Sequence, residues 1–295
     1  FAFRDPLGIR PLVLGKKTVG SDVAYIVASE TVPLNFLGYE YIRDIKAGEV
    51  IYIDKELQLH SVELTQTQQS RPCMFEWVYF ASAESSIENT PVYGTRLELG
   101  RALAQKIRKK IEEGEIQADL VAPVPDTSRT AATALAEELK LPYREVLIKN
   151  RYIKRTFILS SEEKRQKAVD LKLNLVMSEI KEKNILLVDD SIVRGTTSKK
   201  IIQMVKKAGA KKVYFVSTCP PIRYPCFYGI DFPDQNELVA AGKSEIEIAK
   251  ELGADGVIYQ DLTGLVESIK HASSGGVQKP CMACLDGKYP TDVSE

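Results

Sequence analysis

The run from Asn184 to Ser198, N-I-L-L-V-D-D-S-I-V-R-G-T-T-S, constrains this chain more than any other stretch. Ile185 to Val188 is continuously apolar, the pattern of a strand buried on both faces of a parallel sheet. Asp189 and Asp190 end it with adjacent carboxylates. Ser191 to Ser198 supplies a glycine and several hydroxyls. Behind it Ile201, Val205 and Ala208 share one helical face, with Gly209 as the expected C-cap. Strand, acid pair, Gly/Thr loop and helix are together the parts of an anion site at the carboxyl end of a sheet. Backbone N–H groups and the helix N-terminus hold a phosphate, and the carboxylates take hydroxyls or a metal.

A second unit of this kind precedes it. Asp119 to Val124 reads as a strand, followed by P-V-P-D-T-S-R-T (Pro123 to Thr130) and a helix through Leu139. Asp126 or Ser128 serves equally well as a helix N-cap. Paired with the later loop, Asp126, Thr127 and Ser128 become candidates for the far end of a ligand with phosphate at both ends. Two such loops belong on neighbouring strands at the sheet's carboxyl edge. Arg144 to Ile148, Lys212 to Ser217 and Gly256 to Gln260 read as further strands. Tyr93 to Gly114 reads as a helix with Leu99, Leu103, Ile107 and Ile111 inward and a solvated basic face (Arg101, Lys106, Lys109, Lys110). Ser244 and Glu247 form a capping box opening a helix to Leu252, and Thr263 to Lys270 is the last helix. The expectation is an α/β fold, a parallel sheet flanked by helices.

The chain has 295 residues, enough for about two domains at ~150 residues each. Residues 1–62 are β-rich (Arg10 to Leu14, Val23 to Ala28, Glu49 to Ile53) and lack helices to cover the sheet. The polar, aperiodic stretch around 63–72 reads as a linker. Residues 73–270 form the α/β domain and 271–295 an irregular tail. Cys73 to Ser85 reads as a strand and turn, with Phe75 and Trp77 in the core; Thr218 to Pro233 is a Pro-rich loop. Lysine plus arginine and aspartate plus glutamate both number 40, so no basic field argues for nucleic acid. No apolar run approaches the ~18 residues of a membrane helix. The start, F-A-F-R-D-P, has no signal-peptide pattern and enters as if cut inside a domain; a cytoplasmic location is expected. Five cysteines do not suggest a secreted disulfide scaffold, and C-M-A-C (Cys281 to Cys284) points to metal or redox chemistry. A closed iron–sulfur or zinc site needs four thiolates, so two more would come from Cys73, Cys219 and Cys226. Lys149 to Asn174 is long, basic and poorly periodic, which marks a loop that is functional or disordered.

V-D-D-S-I-V-R-G-T-T resembles the phosphoribosyl-pyrophosphate (PRPP) signature of the type I phosphoribosyltransferases. R-D-P-L-G-I-R-P-L-V-L-G (Arg4 to Gly15) with A-S-E-T (Ala28 to Thr31) resembles the later part of a class II, N-terminal-nucleophile glutamine amidotransferase domain. N-R-Y-I-K-R-T-F-I (Asn150 to Ile158) resembles the mobile catalytic loop of PRPP amidotransferases. Nearly the whole chain thus resembles the amidophosphoribosyltransferase family. The resemblance implies a type I phosphoribosyltransferase fold preceded by a remnant of the glutaminase domain. It implies replacement of pyrophosphate on PRPP by ammonia drawn from glutamine, the opening step of purine synthesis. The family's nucleophile is an N-terminal Cys, and this sequence has none before Cys73, so ammonia-dependent transfer alone is expected of it.

The resemblance further assigns Asp189 and Asp190 to the ribose hydroxyls and, with Asp126, to Mg²⁺. Arg194, Gly195, Thr196, Thr197 and Ser198 take the 5′-phosphate, and Ser191 also binds PRPP; Asp126, Thr127 and Ser128 lie near pyrophosphate. Lys149, Arg151, Arg155, Arg165 and Lys172 neutralise pyrophosphate, Lys149 and Arg155 acting in catalysis with the acid pair. It assigns Cys73, Cys219, Cys281 and Cys284 to a structural [4Fe–4S] cluster, with zinc as the alternative and Cys226 left free. Feedback by purine nucleotides and a homotetramer are also family expectations. Two competing readings stay open: a non-catalytic PRPP-binding regulator on the same fold, and a salvage transferase that adds a nucleobase.

Overall fold

The computed structural model describes residues 1–65, 70–150, 173–232, 234–273, 277 and 279–293. It divides into two compact units. The first comprises Phe1–Glu98, Arg223–Gln235 and Leu262–Glu295; the second comprises Leu99–Ile222 and Asn236–Asp261. The boundaries differ from the sequence expectation, since residues 73–98 and 262–270 pack with the amino-terminal segment.

The first unit opens with short antiparallel sheets. Strands β1 (Ala2–Phe3), β5 (Glu49–Ile53) and β6 (Leu59–Glu63) form one; β2 (Val13–Val19), β3 (Asp22–Ala28) and β4 (Glu40–Asp44) form another. A helix, α1 (Val32–Leu37), follows β3 and ends at Gly38 in the left-handed region. Leu14, Ile45 and Ile51 form the small core of this part. Arg4 is buried and donates to the carbonyls of Gly8, Arg10 and Ile45, which satisfies turn carbonyls that burial would otherwise strand.

The strand expected over Cys73 to Ser85 is replaced by helical turns. Glu76–Phe80 is a single π-helical turn, closed by the Ala81 N–H donating to the Glu76 carbonyl. The guanidinium of Arg96 donates to the carbonyls of Trp77, Tyr79 and Ala81, the acceptors that a helix end leaves unpaired. Phe75 and Trp77 are buried as expected, and Trp77 Nε1–H donates to the Thr90 carbonyl. Packing and this arginine thus override the strand preference of an aromatic run. The hairpin of β7 (Ser86–Ile87) and β8 (Thr90–Pro91) leads into α2 (Val92–Glu112).

The second unit is the expected α/β layer. Strands β9 (Leu120–Pro123), β12 (Asn184–Asp189), β13 (Lys212–Ser217) and β14 (Gly256–Tyr259) form a parallel sheet in the order β14-β13-β12-β9. Val188 pairs with Pro123, and Asp189 with Ser217, so the ends of three strands are level. Helix α3 (Arg129–Leu139) follows β9. Strands β10 (Leu147–Lys149) and β11 (Leu173–Leu175) form an antiparallel ribbon, and α4 (Met177–Ile180) follows. Helix α5 (Thr196–Lys207) follows β12, with Ile201, Ile202 and Val205 buried, and Gly209 takes a positive φ just beyond it. Helix α6 (Glu245–Leu252) begins with the predicted box: Ser244 accepts from the Glu247 N–H while Glu247 accepts from the Ser244 N–H. Leu187, Ile201, Phe215 and Ile248 belong to the core on one side of the sheet. Leu103, Ile107, Leu135 and Val216 belong to that on the other.

The chain then returns to the first unit through α7 (Leu262–Ala272) and a tail that carries one helical turn, α8 (Ala283–Asp286). No described helix is long and apolar enough to cross a membrane.

Candidate active site

The site is built at the carboxyl ends of β9, β12 and β13. Asp189 is half-buried, and its carboxyl is pushed well above its usual range, first by burial and then by the charge of Asp190; the Asp190 N–H bond to Asp189 Oδ1 works the other way. The second carboxylate is fixed from behind: Ser191 Oγ donates to Asp190 Oδ1 at 2.8 Å. Its carbonyl accepts from the Cys219 N–H and Thr218 Oγ. The Thr218 N–H donates to the Asp189 carbonyl. An acid pair whose own charge disfavours ionisation suits hydroxyl donors or a divalent cation; Mg²⁺ prefers such carboxylates together with phosphate oxygens.

Beyond the pair the chain turns at Gly195, whose φ is +74°. A Cβ there would lie 2.8 Å from Leu252 Cδ2 and 3.1 Å from Val239 Cγ2. The turn delivers Thr196 and Thr197, both exposed, and Ser198, buried, to the start of α5, a helix of 12 residues. Arg194, Gly195, Thr196, Lys199, Lys200 and Gln203 line most of a cleft of roughly 380 Å³. Arg194 donates through Nε to Glu237 at 2.6 Å. Glu237 and Lys199 were not singled out in the sequence; 43 residues separate the first from its arginine, so no local pattern points to it. A larger cavity, roughly 490 Å³, lies at the amino ends of β13 and β14 beside Tyr214 and Asp255, away from these groups.

The second predicted loop reaches the same sheet edge. The Val124 N–H donates to the Val188 carbonyl at 2.7 Å, tying the two loops' roots together. Asp126 is exposed, Thr127 half-buried, and Ser128 buried with its Oγ donating to the Val124 carbonyl rather than capping α3. Lys149, at the end of β10, forms an ion pair with Asp126 at 2.8 Å. Arg151, Arg155, Arg165 and Lys172 lie outside the described residues.

The cysteines divide between the two units. Cys73, Cys226, Cys281 and Cys284 all belong to the first unit, and Cys219 to the second. Cys73 and Cys281 pair as a β-bridge, and the Met74 N–H donates to the Cys281 carbonyl. Burial pushes the Cys73 thiol up to about 12. Burial also raises Cys281, with Cys226 close enough to add to the effect. Cys226 and Cys284 both act on Tyr289, and the N–H groups of Arg223 and Tyr224 donate to the Cys284 carbonyl. Cys226, not Cys219, thus shares a unit with Cys73, Cys281 and Cys284. Cys219 directly follows β13, with its N–H bound to the Asp190 carbonyl, while the Pro-rich loop carries Cys226 into the first unit. Among the described residues no three His, Cys, Asp or Glu side chains stand close enough to hold a metal ion as they are oriented. In kind, four thiols in one unit suit a cluster or zinc.

Comparison with known proteins agrees with this geometry. The phosphoribosyl transferase domain family matches residues 94–225. The match takes in the acid pair and the glycine loop, and the parallel sheet with its helices has the phosphoribosyl transferase domain fold. Beyond that, the chain is related along nearly its whole length to the amidophosphoribosyltransferases. The Haemophilus influenzae amidophosphoribosyltransferase is 49% identical over 294 residues, covering 99% of this chain and 58% of the relative. That of Archaeoglobus fulgidus is 42% identical, covering 99% and 61%. A solved structure, the glutamine PRPP amidotransferase from B. subtilis complexed with ADP and GMP, matches with a TM-score of 0.83 at 40% identity, covering 98% of this chain and 61% of that one. The chain thus spans about three-fifths of the length of these relatives.

Proposed function

We propose that this chain forms 5-phosphoribosylamine from PRPP, the first step of purine synthesis. The observation that carries the reading is the unit from Asn184 to Lys207, a buried strand, two carboxylates, a left-handed glycine and a helix N-terminus. In the proposed reaction the nitrogen lone pair of ammonia, free or released from glutamine, forms the C1–N bond. Pyrophosphate leaves with the C1–O electron pair, and the new ammonium loses one proton. Ammonia is already a nucleophile, so the protein's work is positioning and electrostatics around an oxocarbenium-like centre.

Asp189 and Asp190 accept from the ribose hydroxyls and, with Asp126, would hold Mg²⁺. When bound, Mg²⁺ supplies positive charge to the departing pyrophosphate. Ser191, Arg194, Gly195 and the N–H groups of Thr196, Thr197 and Ser198 take the 5′-phosphate. Thr127, Ser128 and Lys149 face the pyrophosphate end, helped in the family reading by Arg151, Arg155, Arg165 and Lys172. A structural [4Fe–4S] cluster on Cys73, Cys226, Cys281 and Cys284 is the finer part of this proposal, supported by the bridge between Cys73 and Cys281 and by Cys226 beside them. Purine nucleotides as inhibitors are supported by the B. subtilis relative, described as complexed with ADP and GMP.

The test is pyrophosphate release from PRPP and Mg²⁺, with ammonium or glutamine as donor. Release with ammonium, lowered by several orders of magnitude in Asp190→Asn without loss of the fold, is expected. PRPP binding without release would point to a regulator, and equal release by Asp190→Asn would refute the assignment of the acid pair.

A further inference from the structure

The acid of the pyrophosphate loop is gripped on both oxygens. Asp126 Oδ1 accepts from Arg129 Nη1 at 2.8 Å, and Oδ2 from Lys149 Nζ at 2.8 Å. Arg129 uses the rest of its guanidinium on Glu145: Nε donates to Oε1 at 2.9 Å and Nη2 to Oε2 at 3.3 Å. Glu145 also accepts from the hydroxyl of Tyr143 at 3.2 Å. Tyr143 in turn is bridged to Val121 of β9, and the Val121 N–H donates to the Pro142 carbonyl. The sheet, Tyr143, Glu145, Arg129 and Asp126 are therefore connected end to end.

Exposed ion pairs contribute only ~0–1 kcal/mol each, and these side chains are all partly exposed, so stability does not explain the arrangement. Direction does. A planar guanidinium bonded to one carboxylate through two nitrogens and to a second through the third cannot turn without breaking bonds. The carboxylate of Asp126, on a loop, thereby takes its orientation from the sheet.

Resting on the function proposed above, we propose that Arg129, braced by Glu145 and Tyr143, is a positioning residue that aims Asp126 at the magnesium-bound pyrophosphate group. Glu145 is the second member of the device, since without it the guanidinium is held only by Asp126, the group it is to orient.

The experiment is calorimetric binding of inorganic pyrophosphate in Mg²⁺ to the full chain. The variants are Arg129→Gln, Arg129→Lys, Glu145→Gln, Asp126→Asn, and Arg129→Gln combined with Asp126→Asn. Arg108→Gln, which removes a charge from a pair with Glu138, controls for net charge. Arg129→Gln is expected to weaken binding about three- to tenfold, the scale of coupling within one ion network. Arg129→Lys keeps the charge but cannot bridge, so it weakens binding nearly as much. Glu145→Gln shifts affinity the same way. The double variant binds no worse than Asp126→Asn alone, and Arg108→Gln binds as the parent does. Thermal melts within a few degrees of the parent separate these losses from unfolding.

Parent affinity in Arg129→Gln, full rescue by lysine, or effects of Arg129 and Asp126 that multiply independently would overturn the proposal. Binding needs no turnover, so the two proposals fail separately. The expected pattern in a chain that never releases pyrophosphate from PRPP would sink the function alone. Turnover with an indifferent Arg129 would sink the positioning role alone. A parent chain that binds no pyrophosphate would sink both.

Discussion

Replacing Gly195 by alanine tests whether the phosphate loop is as tightly determined as its geometry implies. The residue stands at φ +74°, where a side chain costs about 1–2 kcal/mol relative to glycine. The added Cβ would also meet Leu252 Cδ2 at 2.8 Å and Val239 Cγ2 at 3.1 Å, both well-packed side chains. Overpacking of this kind costs about 1–3 kcal/mol. The sum is about 2–5 kcal/mol. For a unit of this size 1 kcal/mol moves the melting point by roughly 2–4 °C, so a drop of roughly 4–20 °C follows. Escape from the clash moves the start of α5, so the N–H groups of Thr196 and Thr197 lose their aim. Affinity for PRPP in Mg²⁺ should then fall at least about tenfold. Calorimetry gives the affinity and circular dichroism the melting point. A variant that melts within about 2 °C of the parent and binds PRPP equally well would refute both the packing and the aiming argument.

Other consequences concern the first unit and the helix caps. For Glu49, burial opposes ionisation, yet bonds from Arg43, Ser61 and the Lys46 N–H outweigh it and hold the carboxyl at about 2 against an ordinary 4.5. Its contribution is therefore complete above about pH 4.5 and lost as the pH falls towards 2; Glu49→Gln should destabilise the chain at neutral pH and flatten the acid side of its urea-midpoint profile. On the proposed cluster, Cys226→Ser should abolish the absorbance gained in anaerobic reconstitution with iron and sulfide while Cys219→Ser retains it; the reverse would refute Cys226 as the fourth ligand in favour of Cys219. Removal of the capping hydroxyl in Ser244→Ala should cost about 1 kcal/mol in urea denaturation, and no loss would mean the box contributes nothing to α6.

The sequence alone determined whatever depends on neighbours along the chain. The continuous apolar run that makes β12 a buried strand, the two carboxylates at its end, the glycine that permits the left-handed turn and the stripe on α5 all lie within one short stretch. The same holds for the box at Ser244 and the loop at Asp126. Tertiary structure decided what depends on distant partners. It matched Arg194 with Glu237, and joined Asp126 through Arg129 to Glu145, because side chains far apart in sequence meet only once the strands are in register. It turned Glu76–Phe80 into a π-helical turn because Arg96 and a buried Trp77 reward that shape more than extended pairing. It also put Cys226, and not Cys219, in the unit that holds Cys73 and the C-M-A-C tail. Seven residues along a Pro-rich loop carry one cysteine into the unit of the C-M-A-C tail and leave the other at the sheet edge, and spacing in a sequence cannot say which way such a loop turns.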